Sequence, residues 1–546
     1  MQSTVVALVM LLAVVVGRFV ARLTRAPLPL VQIALGAAIY STGLTSVALD
    51  PEVFFVLLLP PLLFLDGWRI PKDELRREVP SILRLALGLV VFTVLGVGLL
   101  IHALIPALPL PVAFALAAVI SPTDPIAVSA IAARTPMPPR MRRILEGESL
   151  FNDASGLVCM RFAVVAALSG SFALSDALVS FAWVALGGLA TGIAVTWAVT
   201  KSASASVDLV GDDGGAQILI TLLIPFGAYL LAEQIGASGI LAAVAAGIAM
   251  DFTPHSDWQA ITRIRRTAVW DMLQLAANGS IFVLLGEQIP AIVKAAPRTV
   301  LLTGHRDPGW LVFYVVVIVV ALAALRFSWV WVSVKVGDIG NRRHGSATQL
   351  GTSGSQARVV LAMSLAGVRG VITLAGVLTL PLQAADGTPF PGRDLAIVLA
   401  AGVIVVSLLL ASVALPATLQ GLQRTAQAPG PDDDQRIRSA GTTAAMMAVE
   451  AACQALAAAG DDATLCADAS ARVLEMYRLR ADRDADDGTA PALQQRANDI
   501  ERHLRVAGLR AERDEILRFG RLHDVGELAL RRLVREIDLQ EARYSA

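Results

Sequence analysis

The chain has 546 residues, 55% of them hydrophobic, with 45 basic side chains balanced by 45 acidic ones. Its strongly positive mean hydropathy excludes an ordinary soluble protein and a disordered one. Three cysteines, Cys159, Cys453 and Cys466, offer neither a disulfide framework nor paired metal-ligand spacing.

Apolar runs of about 17–25 residues, the length that spans a bilayer, recur along the chain. They lie near 4–23, 28–43, 52–68, 79–104, 110–134, 144–168, 177–200, 215–233, 237–250, 267–289, 310–336, 357–381 and 394–420, the second and ninth being short. The first is apolar from Val5 to Val16 and carries Arg18, Arg22 and Arg25 after that core. A signal peptide has its positive charge before the core, so this run is predicted to be a retained membrane helix.

Charge sets the orientation. Segments after odd-numbered runs collect Arg69, Lys72, Arg76, Arg77, Arg134, Arg140, Arg142, Arg143, Lys201, Arg263, Arg265, Arg266, Lys335, Arg342, Arg343 and Arg358, besides Arg22 and Arg25. Those after even runs hold only Lys294, Arg298, Arg306 and Arg393. The positive-inside rule then places the N-terminus outside and the charged C-terminal region in the cytoplasm. The fold class expected is an all-α polytopic membrane protein of about thirteen transmembrane helices. A transmembrane domain over 1–423 precedes a cytoplasmic helical tail over 424–546, predicted to be regulatory. Pro429-Gly-Pro-Asp-Asp-Asp434 reads as a linker, followed by polar helices such as Thr442–Ala459 and Gln494–Arg518. Leu522–Tyr544 is amphipathic and presents either a solvated face or one that packs. Arg outnumbers Lys and Ala is abundant, the usage of a GC-rich bacterial genome, and the cell inner membrane is the expected location.

The sixth run opens with Glu146-Gly-Glu-Ser-Leu-Phe-Asn-Asp153. At about 1.5 Å of rise per residue, Asp153 lies roughly 14 Å in, close to the midplane. A carboxylate there costs at least about 2.5 kcal/mol to insert, and a chain keeps one chiefly to bind and release an ion or a proton. Ser149 and Asp153 share a helix face at i and i+4, and Glu148 and Asn152 form the neighbouring face. Oxygen ligands of this kind suit a hard monovalent cation, with no His or Cys cluster to favour a softer metal. Glu146 reads as interfacial. Arg161 stands about 12 Å from Asp153 along the helix, too far for direct contact.

In the fifth run, Ser121-Pro-Thr-Asp-Pro125 breaks the helix and frees backbone carbonyls, with Thr123 and Asp124 at the break. Asp124 either caps the second half-helix or touches the ion. The twelfth run holds Gly367-Val-Arg-Gly370, whose glycines permit unwinding and whose Arg369 brings a permanent charge into an apolar segment. Arg369 balances either Glu148 or the carbonyls of the break. The two broken helices cross in opposite senses, the signature of a secondary transporter's midplane site. Asp66, in the third run, either reaches the site or caps the turn before Arg69. Asp271, Asn278 and Glu287 are polar residues of the tenth run whose spacing implies no site, and His102 reads as interfacial.

Leu59-Pro-Pro-Leu-Leu-Phe64, Pro122-Thr-Asp-Pro-Ile-Ala-Val128, Glu146–Asp153 and Gly367-Val-Arg-Gly370 stand in order on these runs. In them the chain resembles the monovalent cation:proton antiporter-1 family of the sodium/proton-exchanger superfamily. The likeness is to bacterial sodium/proton antiporters with a long cytoplasmic tail. The resemblance implies inverted six-helix repeats, two crossed broken helices, an elevator-like core and a homodimer in membrane lipid. It implies that Asp153 binds the cation or proton, with Ser149 and Thr123 as further ligands and Asp124 and Asn152 beside them. It also implies a buried ion pair between Glu148 and Arg369, and an Asn152-Asp153 pair typical of electroneutral exchange. The family's acidic residue after the Pro-Pro triplet is displaced by one position, to Asp66, which bears on its place in the ion shell.

The expected function is electroneutral sodium (or lithium)/proton antiport at a single aspartate, with potassium/proton antiport on the same fold as the alternative. No enzymatic activity, cofactor or nucleic-acid partner is expected. An organic-anion carrier would show uncompensated positive charge at its site. An intramembrane hydrolase would need a motif such as H-E-x-x-H or a midmembrane His, and a sensor would need a recognisable tail motif.

Overall fold

The computed structural model describes residues 2–42, 54–69, 82, 84–132, 137–169, 174–210, 213–250, 252, 260–343, 353–383, 387–420, 431–458 and 463–485. Near the C-terminus it adds 504, 506, 508–512, 514–516, 518, 536, 537 and 539–541. The chain divides into two compact units, Met1–Ala426 and Gln427–Ala546.

The first unit is nearly all helix. Its helices are α1 (Gln2–Thr24), α2 (Leu28–Ser41), α3 (Leu59–Arg69), α4 (Val90–Leu104), α5 (Leu110–Ile120), α6 (Pro125–Ala132), α7 (Pro139–Ser169) and α8 (Leu174–Val210). There follow α9 (Gly214–Gln234), α10 (Gly239–Met250), α11 (Ala260–Thr299), α12 (Gly309–Arg343), α13 (Ser353–Leu365), α14 (Val371–Leu378) and α15 (Arg393–Gln420). Single π-helical turns, Phe54–Leu58 and Arg84–Leu89, lead into α3 and α4. Among the described residues, eight helical stretches are long and apolar enough to cross a membrane, and α2, α5 and α10 are shorter apolar helices. Helix is present in every predicted apolar run, and in the fifth and twelfth it comes as two short pieces. Several helices outrun their apolar stretches, α11 by seven residues at its start, because hydropathy marks only the lipid-length part of a helix whose polar ends continue it.

Sequence punctuation explains the ends. Prolines precede and open α2 (Pro27, Pro29) and α5 (Pro109, Pro111), where the missing N–H has no helical partner to lose. Asp213 caps α9 by accepting from the N–H groups of Gly215 and Ala216 at 2.9 and 3.3 Å.

The helices fall into two groups. In one, α1 and α2 pack on α11, while α3, α8 and α9 pack around α10. In the other, α4, α5 and α7 pack together, as do α12, α13, α14 and α15, joined by α12 against α4 and α14 against α5. The groups meet where α11 lies along α15 and where α3 and α10 touch α7. Within the first group, glycines let backbones approach in reciprocal pairs. A Cβ on Gly36 would stand 2.0 Å from the Val283 carbonyl oxygen, and one on Gly286 equally close to that of Ile33. Gly67 and Gly247 hold α3 against α10 in the same way.

The second unit contains α16 (Pro431–Ala458) packed on α17 (Ala463–Ala485). The helix begins within the expected linker, at Pro431, since proline is at home in the first helical position. Most of the expected Gln494–Arg518 and Leu522–Tyr544 helices, and 421–430, lie outside the described residues.

Gly286→Val should lower the stability of the purified protein by roughly 1–3 kcal/mol, because neither backbone can retreat. Thermal unfolding in detergent would check it, and an unchanged melting temperature would contradict the close approach.

Candidate functional site

The site is built where two interrupted helices meet. Pro122 and Pro125 end α5 at Ile120 and start α6 afresh, and the freed Asp124 N–H donates to the Val368 carbonyl at 2.8 Å, between α13 and α14. Ile120 loses the donor that a continuous helix would supply, and the Arg369 Nε–H fills the place at 2.8 Å. A second Arg369 nitrogen donates to the Gly367 carbonyl, and the Arg369 backbone N–H donates to Ser407 Oγ at 3.2 Å. Gly370 is required by contact: a Cβ there would stand 2.3 Å from the Asp124 carboxylate.

Against these breaks α7 lays one polar stretch. Ser149 Oγ donates to the Thr123 carbonyl at 2.9 Å, and Asn152 Nδ2 donates to Thr123 Oγ1 at 3.0 Å. Thr123 Oγ1 points a long 3.4 Å contact at Glu148. Asn152 Oδ1 is buried with no hydrogen-bond partner among the described residues. Asp153 is 5% exposed, beside Ser149 at 5% and Thr123 at 6%. The site therefore brings together Asp153, Ser149, Thr123 and Asn152. Asp124 stands at its edge, half-buried, and caps α6 through a 3.4 Å bond from the Ala127 N–H.

Asp153, Ser149 and Thr123 line a cavity of about 390 Å³ with Asp124, Asp66 and Asn278. The cavity's far wall carries Arg69, Arg142 and Glu146, so it opens on that side. Asp66 thus faces the same cavity as Asp153. Arg69 is engaged with Asp271 and, at 2.7 Å, with Gln274. One turn beyond Asp153, Leu157 lines a different cavity of about 410 Å³ with Arg161, Tyr229 and Glu233. Between the two lies an apolar cluster of Leu59, Leu63, Tyr229, Ile240, Leu241 and Val244, onto which Leu157 packs. Asp153 is open one way and sealed the other.

The expected Glu148–Arg369 pair is corrected. Glu148 is held by Arg326 of α12 through two bonds of 2.5 and 2.8 Å, with both side chains at 2% exposure or less. Arg326 Nε–H also donates to the Met363 carbonyl in the last turn of α13, at 3.0 Å. Arg369, whose backbone lies in the break itself, serves the carbonyls there. Arg326 went unread although its signal was available: a lone charge in the middle of the apolar run 310–336. Gln274 and Asn278 were also missed as lining residues; with Asp271 they fall at i, i+3 and i+7 on one face of α11. Arg161 pairs with Glu233 at 3.3 Å and not with Asp153.

The sodium/hydrogen exchanger transmembrane family model matches residues 8–421. The chain belongs to that family. Its members are antiporters, not enzymes; they exchange sodium ions and protons and use no cofactor. The chain is 39% identical over 526 residues to the uncharacterized Na(+)/H(+) exchanger YjcE of Escherichia coli (strain K12), covering 94% of each chain. It is 42% identical over 407 residues to a sodium, potassium, lithium and rubidium/H(+) antiporter of Bacillus pumilus (strain SAFR-032), covering 74% of this chain and 58% of that one. The sodium proton antiporter MjNhaP1 from Methanocaldococcus jannaschii shares the fold, with a TM-score of 0.56 at 21% identity, over 77% of this chain and 99% of that one.

Removing one partner of the buried Arg326–Glu148 pair strands the other charge, so Arg326→Met should destabilise the exchanger by about 3–5 kcal/mol. Thermal unfolding in detergent would read the loss; a melting curve like that of the unaltered protein would show the pair to be dispensable.

Proposed function

We propose that this exchanger moves sodium or lithium ions against protons, one for one, at a single carboxylate, Asp153. The observation that carries the reading is a buried carboxylate that lines one cavity with Ser149 and Thr123, reached from one side and sealed on the other by an apolar layer. A proton and a cation compete for Asp153. The Asn152 carbonyl, left without a donor, is a neutral oxygen suited to a cation, and the two helix breaks contribute backbone oxygen nearby. Asp124 and Asp66 in the approach attract cations and hold them near the site. Glu148, balanced by Arg326, carries no free charge into the exchange, so one carboxylate changes its load in each half-cycle. Only the loaded carrier reorients, because a bare carboxylate crossing the apolar layer is too costly.

In this reading the α4–α7 and α12–α15 group carries the site past the other group, with inverted six-helix repeats supplying the two crossed breaks. The cavity beside Arg69 and Arg142 faces the cytoplasm, as does the tail, with the N-terminus outside. The exchanger works as a homodimer in the cell inner membrane, and the tail regulates it. Potassium/proton exchange is the second reading, favoured by the Bacillus relatives whose names include potassium, at 42% and 41% identity.

Everted vesicles holding an acid-inside gradient, read with a pH dye, test the proposal. Sodium, lithium or potassium should collapse the gradient, the effective ion naming the substrate, and Asp153→Asn vesicles should not respond. Retained exchange in that variant would sink the single-carboxylate mechanism. Competition also has a pH signature: in the range where Asp153 is protonated, the half-saturating cation concentration should rise about tenfold per unit fall in pH while the maximal rate holds. A half-saturating concentration independent of pH would rule competition out.

A further inference from the structure

Among the described residues, an ion pair joins the two helix groups of the membrane unit. Arg69–Asp271 lies within the first group, while Arg142–Glu146 and Arg326–Glu148 lie within the second. Arg161–Glu233 runs from α7 in the second to α9 in the first, at 3.3 Å. Its position along α7 gives it meaning. Asp153, Leu157 and Arg161 follow one another at four-residue spacing on one helix face. Asp153 lines the open cavity, whereas Leu157 and Arg161 line the cavity beyond the apolar layer. The pair therefore stands on the closed side of the carrier.

Its acidic end is anchored. Glu233 Oε1 accepts the Gly239 N–H at the start of α10, at 3.0 Å. The link between α9 and α10 is itself tied to α8: Ser238 N–H donates to the Val184 carbonyl at 2.9 Å and Trp183 Nε1 to that of Ile235 at 3.2 Å. Arg161 reaches across to this fixed post from the group that carries Asp153.

We propose that Arg161 and Glu233 form the gate on the closed face, an ion pair that must part before Asp153 opens to that side and so sets how the carrier divides its time between its two orientations. The inference rests on the reading that Asp153 alternates between faces. With side chains 53% and 34% exposed, the pair is a bias and not a lock, so its removal acts by a small factor.

Sided transport tests it. Half-saturating concentrations of the cation that the unaltered exchanger moves would be measured in everted and in right-side-out vesicles. Arg161→Gln and Glu233→Gln should each raise the value by about two- to fivefold on the face of the open cavity and lower it similarly on the other. Arg161→Lys, which keeps a positive charge opposite Glu233 and leaves the Gly239 bond in place, should hold both values near those of the unaltered exchanger. A purely structural role would change the maximal rate alike from both faces; that outcome, or sided values left unshifted by Arg161→Gln and Glu233→Gln, overturns the gate. For variants that yield no protein, cross-linking decides. Arg161→Cys and Glu233→Cys would be combined with Cys159→Ala, Cys453→Ala and Cys466→Ala and joined by a reducible bis-thiol reagent. Exchange should stop on linking and return on reduction, and undiminished exchange in the linked carrier overturns the proposal. Failure of the unaltered exchanger to move any cation would instead refute the antiport reading.

Discussion

Inside an apolar bundle a backbone group that has lost its helical partner must find another, and the centre of this protein is organised by that demand. Pro122 and Pro125 take the helix apart at the Thr123-Asp124 step, and Gly367 and Gly370 do the same near Arg369. The breaks then complete each other: the Asp124 N–H goes to the Val368 carbonyl, and the Arg369 side chain serves both Ile120 and Gly367. Neither interruption is tolerable alone. Because each supplies what the other lacks, they behave as one unit, and α7 is laid against that unit by the Ser149 bond to the Thr123 carbonyl.

Charge is handled by the same economy of partners. Two arginines are buried near the breaks, and they divide the work. Arg326 neutralises Glu148 and ties the last turn of α13, while Arg369 satisfies carbonyls. Among the described residues, what is left without an arginine is the Asp153 carboxylate, which shares its cavity with Ser149, Thr123, Asp124 and Asp66. A site for an exchangeable cation needs that leftover: an arginine bound to Asp153 would occupy permanently the place a transported ion must enter and leave.

Much of this was legible before the structure, and most of the parts that were not share a cause. Asp153, Ser149, Asn152 and Thr123 were visible because polar residues inside span-length apolar runs are expensive, and the prolines and glycines marked the breaks. Spacing along a helix says which side chains share a face, so Ser149 with Asp153 was readable, as was the excessive reach from Asp153 to Arg161. It says nothing of which neighbouring helix a face meets. Glu148 was accordingly assigned to the wrong arginine, and the cavity role of Asn278 and Gln274 was missed. The fit of Gly36 and Gly286 against opposing carbonyls was equally hidden, since a glycine in an apolar run looks alike whether it faces lipid or another backbone. The start of α16 at Pro431 was misjudged for a local reason, a proline and three aspartates being as natural in a first helical turn as in a linker.

The apolar layer of Leu59, Leu63, Leu157, Tyr229 and Ile240 has an electrical consequence. Where the cavities on either side fill with water, they conduct the potential of the adjoining solution inward, and the membrane voltage then falls mainly across this thin septum and not across the full bilayer. Each elementary charge carried through it would exchange about 2.3 kcal/mol with the field per 100 mV. In the proposed exchange, Asp153 crosses neutralised by a cation in one direction and by a proton in the other. The moving body is electrically the same both ways, and the steep local field does no net work on it. An exchanger of this build can run on concentration differences alone, indifferent to whether the cell is polarised.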